Sequence, residues 1–281
     1  MLTDADLDRF ARHIILPQIG GAGQARLKAA HIAIIGAGGI GCPLIQYLAA
    51  AGVGRLTIID DDRVALSNLQ RQILFSEADI GAPKAAAAAA AAQRLYPGGR
   101  VQPLAERIKP DNAARLLAGA DLVIDGCDNF ATRLAVNAAC VRLRIPLLSA
   151  AIGAFDAQVG LFAGWQADQP CYACLVGSDP ARDGVNCAEA GVLGALAGMA
   201  GTLAAVEAVR AITGFGSPLT GQPDLGWLVG EAGEMGVELF VCQSGLALVG
   251  MTMADADAIV RASGLIGFLS AIPPGAVTLT Y

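Results

Sequence analysis

Ile34-Ile35-Gly36-Ala37-Gly38-Gly39-Ile40-Gly41 decides how this chain folds. The apolar run His31 to Ile35 has the composition of a buried strand and feeds a tight glycine turn. A helical pattern, Ile40 to Ala51, leaves that turn. Glycine permits positive φ and lets a phosphate approach the main chain. The helix N-terminus adds free N–H groups and a favourable dipole. Gly36, Gly38, Gly39 and Gly41 are therefore candidate phosphate-binding positions. A second apolar run, Arg55 to Ile59, ends at Asp60, where a carboxylate suits a ribose hydroxyl. The unit is a βαβ nucleotide site, and the glycine motif alone leaves the nucleotide open.

Working outward, the pattern repeats. Thr3 or Asp4 is positioned to cap a first helix reaching Ile15. Ser67 to Gln72 reads as a short polar helix or loop. Pro83 sits at a helix N1 position, opening a helix through the alanine run 85–92 to Leu95. Val101–Leu104, Leu122–Ile124 and Pro146–Ala150 read as strands, and Phe130–Leu143 as a helix. Ala157–Phe162 begins a later sheet region, residues 175–190 form a loop, and Gly191–Thr213 is a helix rich in small residues that suits a partner surface. Strands alternating with helices imply a Rossmann-like, doubly wound α/β fold. Its sheet is mainly parallel, with helices on both faces and a later antiparallel extension.

Composition narrows the function classes. The 281 residues are 54% hydrophobic, much of it alanine, with no run of about 18 consecutive apolar residues. The start, Met1-Leu2-Thr3-Asp4-Ala5-Asp6, has neither a basic nor an apolar leader region, so a cytoplasmic location and no membrane partner are expected. Net charge is −6 without a basic stripe, so no nucleic-acid partner is expected. Beyond Arg210 stand Asp224, Glu231, Glu234, Glu238, Asp255 and Asp257 against Arg261 alone, which puts −5 of that charge in the tail. The odd number of cysteines, seven, argues for metal or thiol chemistry rather than a disulfide framework.

The segments Asp60-Asp61-Asp62-Arg63-Val64-Ala65-Leu66-Ser67-Asn68-Leu69-Gln70-Arg71-Gln72 and Gly81-Ala82-Pro83-Lys84 follow the glycine turn. Asp125-Gly126-Cys127-Asp128-Asn129-Phe130-Ala131-Thr132-Arg133 comes later. With Arg9 to Leu16, Cys171-Tyr172-Ala173-Cys174-Leu175 and Asn186 to Val192, the chain resembles the bacterial adenylating enzymes of the E1-like superfamily. These are the molybdopterin-synthase and thiamine sulfur-carrier adenylyltransferases of the MoeB, ThiF and HesA type. The motifs run in family order over roughly residues 3–221 and are specific together, though not singly. The resemblance implies an adenylation domain over 1–221, N-terminal helices included, and a divergent tail over 222–281.

It also implies an activity. ATP would adenylate the C-terminal Gly-Gly carboxylate of a ubiquitin-like sulfur-carrier protein, for sulfur transfer in cofactor biosynthesis. Such chemistry needs cations on the phosphates and a metal-binding carboxylate. Arg71 and Lys84 supply the cations, and Asp128 is the candidate Mg²⁺ ligand. A helix-cap role before Phe130 is the alternative for Asp128. Asn68 and Gln72 add hydrogen bonds to phosphate or the metal's shell, while Asp61 and Asp62 read as turn residues. By resemblance, Arg12 reaches the ATP site of a second subunit in a homodimer. Cys187 stands where the family can place a thiol toward the activated carrier; a small inert apolar residue is the alternative.

Cys171 and Cys174 have zinc-ligand spacing, but the family's second Cys-x-x-Cys is missing and only Cys242 lies near its place. Substoichiometric zinc, or none, is expected. Cys42, Cys127 and Cys140 read as packing residues. The tail follows either from a changed reading frame or from a genuine alternative end that covers the carrier groove. Two readings compete with adenylation: an NAD(P)-binding Rossmann oxidoreductase, which would not need Arg71, Lys84 or Asp128, and a degenerate, non-catalytic scaffold.

Overall fold

A computed structural model describes residues 2–153, 157–167, 169–177 and 191–215, with the backbone of 239–242 and 260–263. The chain divides into two compact units, Met1–Gly216 and Ser217–Tyr281.

The first unit is built on β1 (His31–Ile35), β2 (Arg55–Ile59), β3 (Arg100–Leu104), β4 (Leu122–Asp125), β5 (Leu147–Ile152) and β6 (Ala157–Phe162). The sheet order is β3-β2-β1-β4-β5-β6. The first five strands pair in parallel, and β6 runs antiparallel to β5. Strand β1 is buried throughout and β4 likewise, as central parallel strands covered on both faces must be. The order reverses between β1 and β4, which opens a crevice at their C-terminal ends. Hydrogen bonding continues past the strands there: the Gly36 N–H donates to the Ile59 carbonyl, and the Gly126 N–H to the Ile35 carbonyl.

The helices in chain order are α1 (Asp4–Arg9), α2 (Ala11–Ile14), α3 (Gly20–Ala29), α4 (Gly41–Ala50), α5 (Lys84–Leu95), α6 (Ala113–Leu117), α7 (Phe130–Leu143), α8 (Tyr172–Val176) and α9 (Gly194–Thr213). Thr3 caps α1 through a capping box with Asp6. The single first helix expected to Ile15 is instead two, broken at Phe10. That ring is 3% exposed and meets Tyr96 edge-on at 5.6 Å, so the chain bends to deliver it to the core. Pro83 lies one residue before its expected place, as the N-cap of α5.

Two cores flank the sheet. One packs α4, α5 and α9 around Ile34, Leu44 and Ile58; the other packs α6 and α7 around Val123, Leu117 and Val136. Helix α9 is long and apolar enough to cross a membrane by length and composition alone. Its inner face, Ala197, Ala200, Gly201, Ala204 and Ala208, is buried. A Cβ on Gly201 would stand 2.2 Å from the Ile40 carbonyl oxygen, so the helix backbone lies directly behind the glycine turn. The outer face shows Met199, Leu203 and Val206 to solvent.

In the second unit, β7 (Leu239–Cys242) and β8 (Val260–Ser263) pair in parallel.

Candidate functional site

A cavity of about 690 Å³ opens at the switch between β1 and β4. Its floor is the glycine turn. Gly36 holds φ +90°, a conformation that favours glycine. Gly41 does not line the cavity but shapes it: a Cβ there would stand 2.0 Å from the Gly36 carbonyl oxygen. Gly38 and Gly39 line the floor.

Asp60 serves the turn. One carboxylate oxygen accepts from the Ala37 N–H at 2.8 Å and the other from the Asp62 N–H at 2.8 Å. Burial pushes its carboxyl above the usual range, against the pull of those two backbone donors. The residue expected to face a ribose therefore also fastens β2 to the glycine turn.

The cations come from the polar segment after β2. Lys84 opens α5, is 6% exposed, and pairs with Asp62 at 2.9 Å. Arg71 is half-buried and donates one hydrogen bond to the Ser67 carbonyl at 3.1 Å, so most of its guanidinium donors remain for a ligand. Asp61 pairs with Arg107 at 3.1 Å; the two acids read as turn residues thus belong to ion pairs. Asn68 and Gln72 line the same wall, and the buried Gln72 Oε1 has no hydrogen-bond partner among the described residues.

The opposite wall is the loop from β4 to α7. Asn129 caps α7 by accepting from the Thr132 N–H at 2.9 Å, which leaves Asp128 exposed to the cavity. Among the described residues, no hydrogen bond or ion pair engages the Asp128 carboxylate. Cys42 and Cys140 are buried, with thiols pushed up to about 12 by burial. Cys127 departs from the packing role expected of it. It rests half against the core, yet also lines the cavity, because it lies on this loop one residue past Gly126. Burial raises its thiol pKa well above the ordinary value, which disfavours the thiolate.

Sequence reasoning did not single out Asp125, Arg133, Ser149 or Tyr172. Asp125 and Arg133 form a buried pair at 3.6 Å, with Asp125 behind this wall and Arg133, like Tyr172, at the cavity lining. The signal was available: Arg133 is a charge inside the apolar first turns of a core helix.

Two sets of expected residues lie elsewhere. Arg12 is exposed on α2 and does not line the cavity. Cys171 and Cys174 lie at the start of α8 with sulfurs 3.5 Å apart, and Asn137 donates to the Cys171 sulfur at 3.5 Å. These hydrogen bonds outweigh burial and lower the Cys171 pKa. Among the described residues, no third His, Cys, Asp or Glu joins them. They supply half of a tetrahedral zinc set and do not by themselves fit a structural zinc ion. Cys187 and the Cys242 side chain lie outside the described residues.

A glycine turn at a topological switch point, faced by two cations and an unengaged carboxylate, suits a nucleoside triphosphate. Residues 10–224 match the model of the ThiF family. The chain belongs to the ThiF family. It is 46% identical over 223 residues to the sulfur carrier protein adenylyltransferase of Thermus thermophilus, covering 78% of this chain and 82% of that one. It is 40% identical over 221 residues to the molybdopterin-synthase adenylyltransferase of Salmonella typhimurium, covering 79% and 88%. Among solved structures, the E. coli tRNA N6-threonylcarbamoyladenosine dehydratase TcdA in complex with ATP superposes with a TM-score of 0.63 at 26% identity, covering 76% and 97%. The enzyme class is adenylyltransferase, and adenylyl transfer consumes ATP. The oxidoreductase alternative is set aside.

Proposed function

We propose that the chain activates the C-terminal Gly-Gly carboxylate of a ubiquitin-like sulfur-carrier protein as an acyl-adenylate. The observation that carries this reading is the convergence of Arg71, Lys84 and Asp128 on one glycine-floored cavity. The Gly36–Gly41 turn and the start of α4 receive the phosphates. A carrier carboxylate oxygen attacks the α-phosphorus, and the bond from that phosphorus to the bridging oxygen of pyrophosphate breaks. Charge builds on the departing pyrophosphate, and Arg71 and Lys84 meet it. Asn68 and Gln72 orient the phosphates, the orphaned Gln72 Oε1 taking a donor from ligand or water. The free Asp128 carboxylate fits Mg²⁺, which when bound would neutralise phosphate charge.

Incubation with ATP and radiolabelled pyrophosphate tests this. Exchange is expected only with a carrier ending in Gly-Gly, and the same carrier lacking its last glycine should give none. Lys84→Ala and Arg71→Ala should each lower exchange by about 10²–10³ while the protein stays folded. Near wild-type exchange in either variant overturns that assignment.

The exposed Arg12 and the apolar outer face of α9 support a second element of the reading, a two-fold homodimer in which Arg12 completes the partner's site. Mixing inactive Arg12→Ala and Lys84→Ala proteins should restore activity, because one hybrid site then holds both cations. A monomer by sedimentation refutes it. Cys187 is kept as a candidate thiol toward the carrier, tested by Cys187→Ser in a sulfur-transfer assay.

A further inference from the structure

Arg133 makes more contacts than its place in a core helix requires. Its side chain is 7% exposed. One terminal nitrogen donates to the Ser149 hydroxyl at 3.0 Å and lies 3.6 Å from Asp125. The other donates to the Ala150 carbonyl at 2.8 Å and to the Cys127 carbonyl. The guanidinium also lies 6.0 Å from the Tyr172 ring centre. Asp125 meanwhile accepts from the Cys127 N–H at 3.0 Å. Cys127 is therefore held at both ends, its N–H by Asp125 and its carbonyl by Arg133.

That carbonyl belongs to the peptide unit joining Cys127 to Asp128. A planar peptide fixed at its oxygen restricts ψ of the residue before it and φ of the residue after it. Those torsions set the direction in which the Asp128 side chain leaves the loop. Among the described residues the Asp125 Oδ2 has no hydrogen bond and is met by the guanidinium charge, so the pair is built around Arg133.

We propose that Arg133 is the positioning residue of the nucleotide site, holding the Cys127–Asp128 peptide so that the Asp128 carboxylate faces the cavity. The proposal rests on the reading of Asp128 as the Mg²⁺ ligand. Arginine suits the task because its planar fork reaches two carbonyls and a hydroxyl at once; a lysine keeps the charge against Asp125 but not the fork. Outer-shell partners of this kind act on the metal, not on the nucleotide alone.

Equilibrium binding of ATP, measured by calorimetry in EDTA and then in saturating Mg²⁺, tests it. Wild-type protein should bind ATP more tightly with Mg²⁺, and Asp128→Asn should lose that gain. Arg133→Lys should bind ATP in EDTA as wild type does and lose about tenfold or more of the Mg²⁺-dependent gain. If Asp128→Asn loses the gain while Arg133→Lys keeps it, the positioning role is overturned and the reading of Asp128 stands. If Asp128→Asn keeps the gain, the metal reading falls and this proposal with it. Loss of ATP binding in EDTA by a folded Arg133→Lys protein would mean direct contact with the nucleotide and would also overturn it. Should Arg133→Lys fail to fold, Ser149→Ala carries the test: it frees one arm of the fork, a smaller loss of the gain is expected, and an undiminished gain overturns the proposal.

Discussion

The two walls of the nucleotide cavity are made in opposite ways. The glycine wall is held by backbone lying against backbone, with Gly41 and Gly36 too close for a single added carbon. The β4–α7 wall is held by side chains, through the buried Asp125–Arg133 pair and the carbonyls it gathers. The first wall is sensitive to an atom gained where backbone meets backbone, and the second to an atom lost. Sequence motifs report the first kind of constraint well, since glycines at short spacing leave a local signature. They report the second kind poorly, since Ser149 and Ala150 lie 16 and 17 residues from Arg133 and meet it only in the folded sheet, and its contacts with Asp125 and Cys127 depend on how its side chain turns.

The strongest test of this contrast is removal on the second wall. Asp125→Ala leaves a buried guanidinium without its counter-charge and should destabilise the fold by about 3 kcal/mol or more, read from denaturant unfolding. Asparagine at the same position keeps an acceptor for the Cys127 N–H and should cost less. Equal costs for the two would mean that the charge does not matter.

Addition on the first wall comes next. Gly41→Ala sets a carbon against the Gly36 carbonyl and should cost about 3 kcal/mol. Gly38→Ala finds its nearest neighbour at 3.9 Å, so its unfolding free energy should change by less than about 0.5 kcal/mol. It should nevertheless weaken ATP binding, because the added methyl group takes space on the cavity floor that the proposed function gives to the phosphates. If Gly41→Ala is as stable as Gly38→Ala, close backbone packing does not build that wall.

A smaller effect sharpens the account of Asp60. Its folded-state pKa is raised, so the native protein holds this proton more firmly than the unfolded chain does. The contribution to stability is greatest below the ordinary carboxylate value and falls as pH rises through the raised one. The stability of wild type relative to Asp60→Asn should therefore decline from about pH 4 upward. A difference that grows with pH would show that the Ala37 and Asp62 N–H groups outweigh burial.

The smallest effect is expected at the cysteine pair of α8, neither member of which lines the cavity. Zinc should be below one per chain, and Cys171→Ser/Cys174→Ser should retain pyrophosphate exchange. Elemental analysis giving one firmly held zinc would require ligands beyond the described pair. Loss of exchange in the folded double variant would make the two thiols part of the adenylating machinery.

The same division explains what could be read from sequence. Strands β1, β2 and β6 and helix α7 have the expected bounds, because their patterns are local, although the cap of α7 is Asn129 and not the Asp128 alternative read from sequence. Helices α3 and α6 were passed over: glycines open the first, and the second has only five residues. Gly36, Gly38, Gly39, Asp60, Asn68, Arg71, Gln72, Lys84 and Asp128 all line one cavity, as spacing along βα units suggested. The Asp60 carboxylate's bonds to Ala37 and Asp62, the ion pairs of Asp61 and Asp62, and the clamp around Cys127 were not legible. Each depends on which way a side chain turns after the sheet has assembled.

The alanines of α5 and α9 have a consequence for heredity. Ala85, Ala88 and Ala92, with Ala197, Ala200, Ala204 and Ala208, face the core with almost no exposed surface. Large-to-small mutation, the usual injury to a protein interior, has little to remove there. A single-base change in an alanine codon yields serine, threonine, proline, valine, aspartate, glutamate or glycine. Every one of these but glycine adds heavy atoms to a layer with no room for them. The gene is thus exposed at these positions to crowding rather than to voids, and its harmful alleles there should be enlargements.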